Sequence, residues 1–148
     1  PRRLGRRLLM LQIDVVTRRI CGLRPGVKGM SENVRVRSVL GRFLEHSRFL
    51  IFRSGDESRY LLGSADLLPR NLDHRIEVMT PIDAHAVQAE LDAVFGALMK
   101  DNTQAWELCS DGSWVRIRPG DGKRPRTAHG DLMRRARSRA RLAAHPST

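Results

Sequence analysis

The chain has 148 residues, of which 41% are hydrophobic and 29% are charged, and its formal net charge is +11 at pH 7. This length allows one ordinary hydrophobic core with terminal extensions, and the composition is typical of a globular protein. No apolar run reaches the roughly 18 residues that a membrane span needs, and the N-terminal residues do not resemble a secretory leader. We therefore expect a cytoplasmic protein, with peripheral membrane association as the alternative.

The positive charge is concentrated at the two ends of the chain. Residues 1–11 carry four arginines and no acid, and residues 116–148 carry ten Lys and Arg residues against two Asp. Between these ends, residues 18–75 hold twelve basic and six acidic residues, whereas residues 77–111 hold one lysine and seven acids. We expect anionic ligands to bind the 18–75 half of the domain, and to bind less tightly as the salt concentration rises.

The first half of the chain predicts strands alternating with a helix. The apolar segment LLMLQIDVV (8–16) predicts a buried strand, which is followed by Arg18. Residues 31–45 predict a helix, because a serine stands at the N-cap position and apolar residues recur at helical spacing. Residues 47–55 and 59–65 predict a β-hairpin around the turn SGDES.

The second half predicts one long helix and a C-terminal hairpin. A loop is expected over 68–74, a strand over 75–82, a helix over 83–101 and the hairpin over 106–118. Strands and helices in this order favour an α/β fold with a mixed sheet flanked by helices.

The same patterns divide the chain into three segments. We expect an atypical basic segment over 1–11, one domain over 12–118 and a basic, disordered tail over 119–148. Because the apolar stripes all lie within 12–115, the domain is expected to fold without the tail.

Phosphate-binding glycine motifs are absent from the sequence, since neither G-x-x-x-x-G-K-[ST] nor G-x-G-x-x-G occurs. Any phosphate would have to be bound by side chains, mainly arginine and histidine. His46, which follows the predicted helix and precedes a strand, is the best candidate, with Arg18 at the end of an earlier strand. The loop after the next strand adds Arg70, a two-pronged phosphate donor, together with Ser64 and Asn71.

Three of these candidates have a simpler alternative. His46 taken alone would be a surface or capping histidine, and Ser64 and Asn71 would cap their own loop. Asp73 and Glu77 are expected to pair with neighbouring arginines rather than bind a metal. The other histidines are expected to be exposed; they are His74, His85, His129 and His145.

Two long blocks of sequence carry a resemblance to a known family. They are RICGLRPGVKGMSENVRVRSVLGRFLEHSR and YLLGSADLLPRNLDHRIEVMTPI. In order and spacing they resemble the last catalytic domain of bacterial polyphosphate kinase, over about Leu11 to Trp114. The resemblance implies a phospholipase D-like fold of two α/β halves, of which this chain would be the second. It also implies that His46 and Arg18 contact ATP, and that the phosphorylated histidine lies in the first half.

Further expectations follow from this resemblance. ATP or ADP and polyphosphate would be the substrates, with magnesium bound by ligands outside this chain. The partner would be the missing N-terminal part of the kinase, and a homo-oligomer is conceivable. His46 would bind phosphate as a cation or protonate the leaving ADP oxygen. The alternative is a catalytically inactive module that binds a polyanion, polyphosphate or RNA, non-specifically through its basic tail.

The sequence also departs from the family pattern. Arg19 stands where the family has a glycine, and Leu67 stands where it has an aromatic residue. The phospholipase signature H-x-K-x-x-x-x-D is not met either, since Arg48 and Arg53 occupy its Lys and Asp positions. Hydrolysis of lipid or nucleic-acid diesters is therefore not expected.

Overall fold

The computed structural model describes residues 11–18, 21–66 and 68–144. Over these residues the chain has the predicted mixed α/β fold, but its strands form two sheets rather than one. The chain also divides into two compact units. We call residues 46–95 the middle unit, and the described residues before and after that segment the flanking unit.

The elements follow one another along the described part of the chain. In order they are β1 (Ile13–Thr17), β2 (Val34–Val39), β3 (Phe49–Ser54), β4 (Glu57–Gly63), α1 (Pro69–His74), β5 (Met79–Pro81), α2 (His85–Lys100), β6 (Ala105–Leu108), β7 (Trp114–Arg116) and α3 (Ala128–Ala144). The predicted long helix is α2, and the predicted C-terminal hairpin is formed by β6 and β7. None of the described helices is both long and apolar enough to cross a membrane.

The flanking unit is built on a four-stranded sheet with the strand order β1-β2-β6-β7. β1 and β2 run parallel, with Val15 opposite Val36, and the other neighbouring strands run antiparallel. Val36 and Ala105 are fully buried, which places the core of this unit at β2 and β6. Each buried valine contributes about 1.5–3 kcal/mol of stability relative to an exposed one.

The helix predicted over 31–45 is wrong, because the strand β2 occupies its centre. VRVRSV alternates valine with arginine, which is the two-residue period of a strand, although Val36 and Val39 are also spaced as on one helical face. The β-branched valines and the pairing with β1 favour the strand. Consequently His46 does not follow a helix, and residues 40–48 form an irregular connection between β2 and β3.

The middle unit contains an antiparallel sheet with the order β3-β4-β5. The predicted hairpin joins β3 to β4 through Gly55, whose φ of 58° lies in the left-handed region that favours glycine. Tyr60 of β4 is buried, and its hydroxyl donates to Asp92 Oδ2 of α2 at 2.8 Å. Arg53 of β3 donates to Asp92 Oδ1 at 2.5 Å, so one carboxylate connects both strands to the helix.

The segment 68–74, predicted as a loop, contains the short helix α1. Pro69 stands in its first turn, where a missing N–H costs no hydrogen bond and the fixed φ of proline suits a helix. The sequence pattern hides this helix because it is only six residues long. Two candidate site residues, Arg70 and Asn71, are therefore carried by a helix.

Part of the segment predicted as a disordered tail forms α3 and contributes to the core of the flanking unit. Ala128 and His129 are buried, so the expectation that His129 is exposed is wrong. His129 Nδ1 accepts a hydrogen bond from the Phe43 N–H at 3.2 Å, and the two rings lie 5.5 Å apart. The ring also lies so close to Gly41 that a larger residue there would clash with it. The rest of α3 has no apolar stripe, which is why its buried first turn was missed.

Asp101 fixes the start of α3 within the flanking unit. It is almost fully buried, and its Oδ1 accepts hydrogen bonds from the backbone N–H groups of Thr103, Gln104 and Ala105 at 2.9, 2.7 and 3.1 Å. Its Oδ2 accepts from the Ala128 N–H at 2.7 Å. The N–H groups at a helix start need such an acceptor, because they have no partner within the helix.

Candidate functional site

His46 lies beside an arginine that an ion pair holds in place. Its Nε2 is 2.7 Å from Arg48 Nη2. The same guanidinium donates to Asp66, from Nε to Oδ1 at 2.7 Å and from Nη2 to Oδ2 at 3.3 Å. The backbone of Arg48 is held as well, because its carbonyl oxygen accepts from the Gly63 N–H at 2.9 Å. These contacts lie within the middle unit and form a chain from a carboxylate, through a guanidinium, to an exposed imidazole.

The contact with Arg48 sets the direction of one hydrogen bond. A guanidinium only donates hydrogen bonds, so His46 Nε2 is the acceptor in this contact. The guanidinium thereby places a positive charge directly beside the imidazole.

Ser64 and Asn71 meet at a shared carboxylate. The Ser64 hydroxyl donates to Glu77 Oε2 at 2.5 Å, and Asn71 Nδ2 donates to Glu77 Oε1 at 3.2 Å. Ser64 Oγ also accepts from the Val78 N–H at 3.2 Å, which connects the end of β4 to the residue before β5. These are the bonds of the loop-capping alternative. Asn71 is almost fully buried, and its Oδ1 has no hydrogen-bond partner among the described residues.

The charge of Glu77 is stabilised by these neighbours. The Ser64 hydroxyl, which donates to its carboxylate, is the main reason that the pKa of Glu77 lies below its ordinary value, and Asn71 acts in the same direction. Arg75, 3.3 Å away, and Arg48 lower this pKa further by their positive charge. The expected pairing of Glu77 with a neighbouring arginine is thus present, and Glu77 remains an anion at neutral pH.

The remaining predicted site residues occupy different parts of the chain. Arg18 directly follows β1 in the flanking unit, as the sequence predicted, and its side chain is exposed. Arg70 belongs to α1, and its side chain lies outside the described part of the structure. Arg19 and Leu67, the two departures from the family pattern, also lie outside the described residues, as does His145. His74 and His85 are exposed, as expected.

Sequence reasoning missed the partners of His46. Arg48 was considered only as a departure from the phospholipase signature, and Asp66 was not considered. The predicted hairpin contained the signal: Phe49 pairs with Leu62, so residues just before β3 and just after β4 come together. Arg48 and Asp66 have opposite charges and occupy these two positions, so they can form an ion pair.

The residues described by the structure include no group of three or more His, Cys, Asp or Glu side chains arranged to hold a metal ion. Three carboxylates of the middle unit, those of Asp66, Glu77 and Asp92, are engaged with arginines, a tyrosine, a serine and an asparagine.

Comparison with known proteins identifies the family. The family model described as "Polyphosphate kinase C-terminal domain 2" matches residues 10–129. The chain is 50% identical over 109 residues to the polyphosphate kinase of Synechocystis sp., which covers 74% of this chain and 15% of that protein. It is 48% identical over 128 residues to the polyphosphate kinase of Mycobacterium tuberculosis, which covers 86% of this chain and 17% of that protein. The chain thus spans about a sixth of the length of these relatives.

A solved structure leads to the same family. The crystal structure of polyphosphate kinase from Porphyromonas gingivalis matches 87% of this chain and 20% of its own chain, with a TM-score of 0.81 and 28% sequence identity. This match confirms the phospholipase D-like α/β fold that the resemblance implied. The family model, the identities near one half and the structural match together establish that the chain belongs to the polyphosphate kinase family, as its C-terminal domain 2.

Proposed function

We propose that this chain is part of a polyphosphate kinase and contributes ATP-binding and polyphosphate-binding residues to it. The reaction is the reversible transfer of the terminal phosphate of ATP onto polyphosphate. The observation that carries the proposal is the contact of His46 with Arg48, which Asp66 orients, in a chain whose relatives are named polyphosphate kinase. A positioned imidazole beside a positioned guanidinium is suited to binding a phosphoryl group.

The proposed roles follow from what phosphoryl transfer requires. Negative charge spreads over the transferred oxygens, so the protein must neutralise it with groups that are already in position. Arg48 supplies such a charge, and Asp66 restricts its orientation before the ligand arrives. His46 adds a hydrogen bond to a phosphate oxygen or a proton for the leaving ADP oxygen. Arg18, which the family resemblance implies as an ATP contact, is exposed and has no ion pair to any described residue.

Other candidate residues take a supporting part in this proposal. Ser64 and Asn71 donate to Glu77, so they reach a phosphate only if those bonds are exchanged. Arg70 remains a proposed phosphate ligand from its sequence position. Magnesium, which supplies further charge neutralisation in such reactions, is proposed to bind through ligands outside this chain.

The remainder of the kinase completes the site in this proposal. The histidine that carries the phosphate would lie in that other part, and self-association would involve the assembled enzyme. A cytoplasmic location, with or without peripheral attachment to a membrane, belongs to the same proposal.

The test measures ATP and ADP binding to the 148-residue chain by calorimetry. His46→Gln and Arg48→Gln should each weaken binding by about tenfold or more, because a hydrogen bond to a charged group is worth roughly 1.5–3 kcal/mol. Arg18→Ala should do the same. His85→Gln, an exposed histidine on α2, is the matched control and should bind as the parent does. Unchanged affinity in all three site variants would overturn the proposed site.

The second candidate is a module that binds polyanions by charge alone. The cationic side chains exposed along α3 favour it. Deleting 119–148 does not discriminate well between the two functions, because the deletion also removes the buried Ala128 and His129. Replacing exposed arginines of α3 by glutamine changes the charge without removing buried residues. Loss of ATP binding in that variant would favour the second candidate.

A further inference from the structure

A groove in the flanking unit is lined by cationic side chains. It has a cavity volume of about 450 Å³ and lies where the end of α2 meets the loop before α3. Six of its lining residues are basic: Arg37, Lys100, Arg118, Lys123, Arg124 and Arg126. From these residues we infer that the groove binds linear polyphosphate, at a place separate in the chain from His46.

The charge of the groove is available to a ligand. Among the described residues, no acidic side chain lies within ion-pair distance of Lys100, Arg118 or the three cations at 123–126, all of which are exposed. Arg37 is the exception, since it pairs with Glu107 at 3.7 Å and donates to the Met99 carbonyl oxygen. The acid in the lining, Asp101, uses both carboxylate oxygens to accept backbone N–H groups. Five unpaired cations therefore line the groove together with Arg37, and the one carboxylate in the lining is already engaged.

The loop that carries most of these cations is fixed by its backbone. Asn102 Nδ2 donates to the Arg124 carbonyl oxygen at 3.1 Å, and Asn102 Oδ1 accepts from the Arg126 N–H at 2.7 Å. The Thr103 hydroxyl and the Asn102 N–H both donate to the Arg126 carbonyl oxygen, at 2.8 and 3.2 Å. Pro125 further restricts the backbone between them. The loop is thus held in place while its cationic side chains point to solvent, which lowers the entropy lost on binding.

Polyphosphate fits these features better than a nucleic acid does. None of the described residues lining the groove is aromatic, whereas proteins that bind single-stranded nucleic acid commonly stack bases on aromatic rings. Polyphosphate has no bases or sugars, and its charges follow one another more closely along the chain. Lys123, Arg124 and Arg126, three cations within four residues, match that charge density.

This inference rests on the proposed function, because membership in a polyphosphate kinase is what makes polyphosphate the relevant polyanion. The two can nevertheless fail separately. The groove involves no residue of the His46 site, so a groove variant should lose polyphosphate binding and keep ATP binding. The His46 variants described above should lose ATP binding and keep polyphosphate binding at the groove.

The test is fluorescence anisotropy of end-labelled polyphosphate of defined length with the 148-residue chain at several salt concentrations. The groove variant is Lys123→Gln, Arg124→Gln, Arg126→Gln. The matched control is Arg137→Gln, Arg139→Gln, Arg141→Gln, which removes the same charge from exposed positions further along α3. At about 1.5 Å per residue, these control positions lie roughly 13–20 Å along the helix from its start. Circular dichroism of both variants checks that the fold is kept.

We expect the groove variant to bind polyphosphate at least about tenfold more weakly than the parent. The slope of log K against log salt should become shallower by about two, because each of the three lost phosphate contacts contributes roughly 0.7 to that slope. The control should lose less than about threefold. Equal losses in the two variants would show that overall charge, not the groove, holds polyphosphate. The same assay is run with a single-stranded RNA that has as many phosphates as the polyphosphate. If this RNA binds the parent as tightly as polyphosphate does, and the groove variant loses affinity for both equally, the assignment to polyphosphate is overturned. Loss of ATP binding in the groove variant would show that the two sites are not separate.

Discussion

Replacing Asp101 by alanine tests the connection between α2, β6 and α3 in the flanking unit. The carboxylate accepts four backbone N–H groups, and two of them, those of Ala105 and Ala128, are buried. Leaving a buried donor unsatisfied costs about 1–3 kcal/mol, so these two groups alone amount to roughly 2–6 kcal/mol. We expect Asp101→Ala to lower the free energy of unfolding by about 4 kcal/mol, a large part of the roughly 5–15 kcal/mol of an ordinary domain.

An amide at the same position separates geometry from charge. Asp101→Asn can keep Oδ1 as the acceptor for three donors, but its NH₂ group then faces the Ala128 N–H, donor against donor. The variant should therefore lose about 2 kcal/mol, close to one charge-assisted hydrogen bond.

Urea denaturation followed by circular dichroism measures both losses. The control is Asp111→Asn. Asp111 is exposed and accepts hydrogen bonds from Ser113 at 2.9 and 2.7 Å, which an amide oxygen can also accept, so stability should change by less than about 0.5 kcal/mol. If Asp101→Ala unfolds within about 1 kcal/mol of the parent, the four hydrogen bonds do not hold α3 in place.

Three further outcomes are expected. Truncating the chain after residue 118 should lower the melting temperature by several degrees, because the buried Ala128 and His129 are removed. This is the opposite of the sequence-based expectation that the domain folds without its tail. An unchanged melting temperature in calorimetry would contradict the packing of these two residues. When the 148-residue chain is incubated with labelled ATP and magnesium, we expect no lengthening of polyphosphate and no acid-labile label on the protein. The reason is that the resemblance implies a phosphorylated histidine in another part of the kinase. Label on His46 would refute this expectation. Glu77 contributes stability above its ordinary pKa of 4.5, and this is lost as the pH falls through its lowered folded pKa. Glu77→Gln should therefore show a smaller loss of stability between pH 6 and pH 3 in urea titrations, and equal losses would argue against the Ser64 bond.

The sequence predicts most of this fold wherever a pattern extends over several turns or a complete hairpin. α2 and the two hairpins have long apolar stripes or glycine turns, and each is found close to its predicted range. β2 was mistaken because valines spaced three apart fit a helical face as well as a strand, and only the pairing with β1 distinguishes them. α1 and the first turn of α3 are too short to show a helical period. Pro69 favours the start of α1, and a hydrogen bond to Asp101, which is distant in sequence, holds the first turn of α3.

The candidate site was predictable only in part, for a related reason. Arg18 and His46 come from the family resemblance, and the sequence correctly places Arg18 at the end of a strand. The orientation of His46 depends on Arg48, two residues away, and on Asp66, twenty residues away. The order of residue types along the chain does not show that residues 46 and 66 lie close together. The pairing of β3 with β4 brings them close.

Net charge by segment overstates how many cations of residues 18–75 are unpaired in the structure. Much of the positive excess of residues 18–75 is compensated in the structure by carboxylates, through the pairs Arg35–Asp14, Arg37–Glu107, Arg48–Asp66, Arg53–Asp92 and Arg75–Glu77. Four of these five acids lie outside residues 18–75: Asp14, Glu77, Asp92 and Glu107. By contrast, Arg18 and the cations at 123–126 have no such partner among the described residues. A polyanion gains most where cations are exposed and unpaired, because there it displaces solvent and counterions rather than a competing carboxylate. Salt should therefore weaken binding at the groove more strongly than at Arg48, whose charge Asp66 already shares.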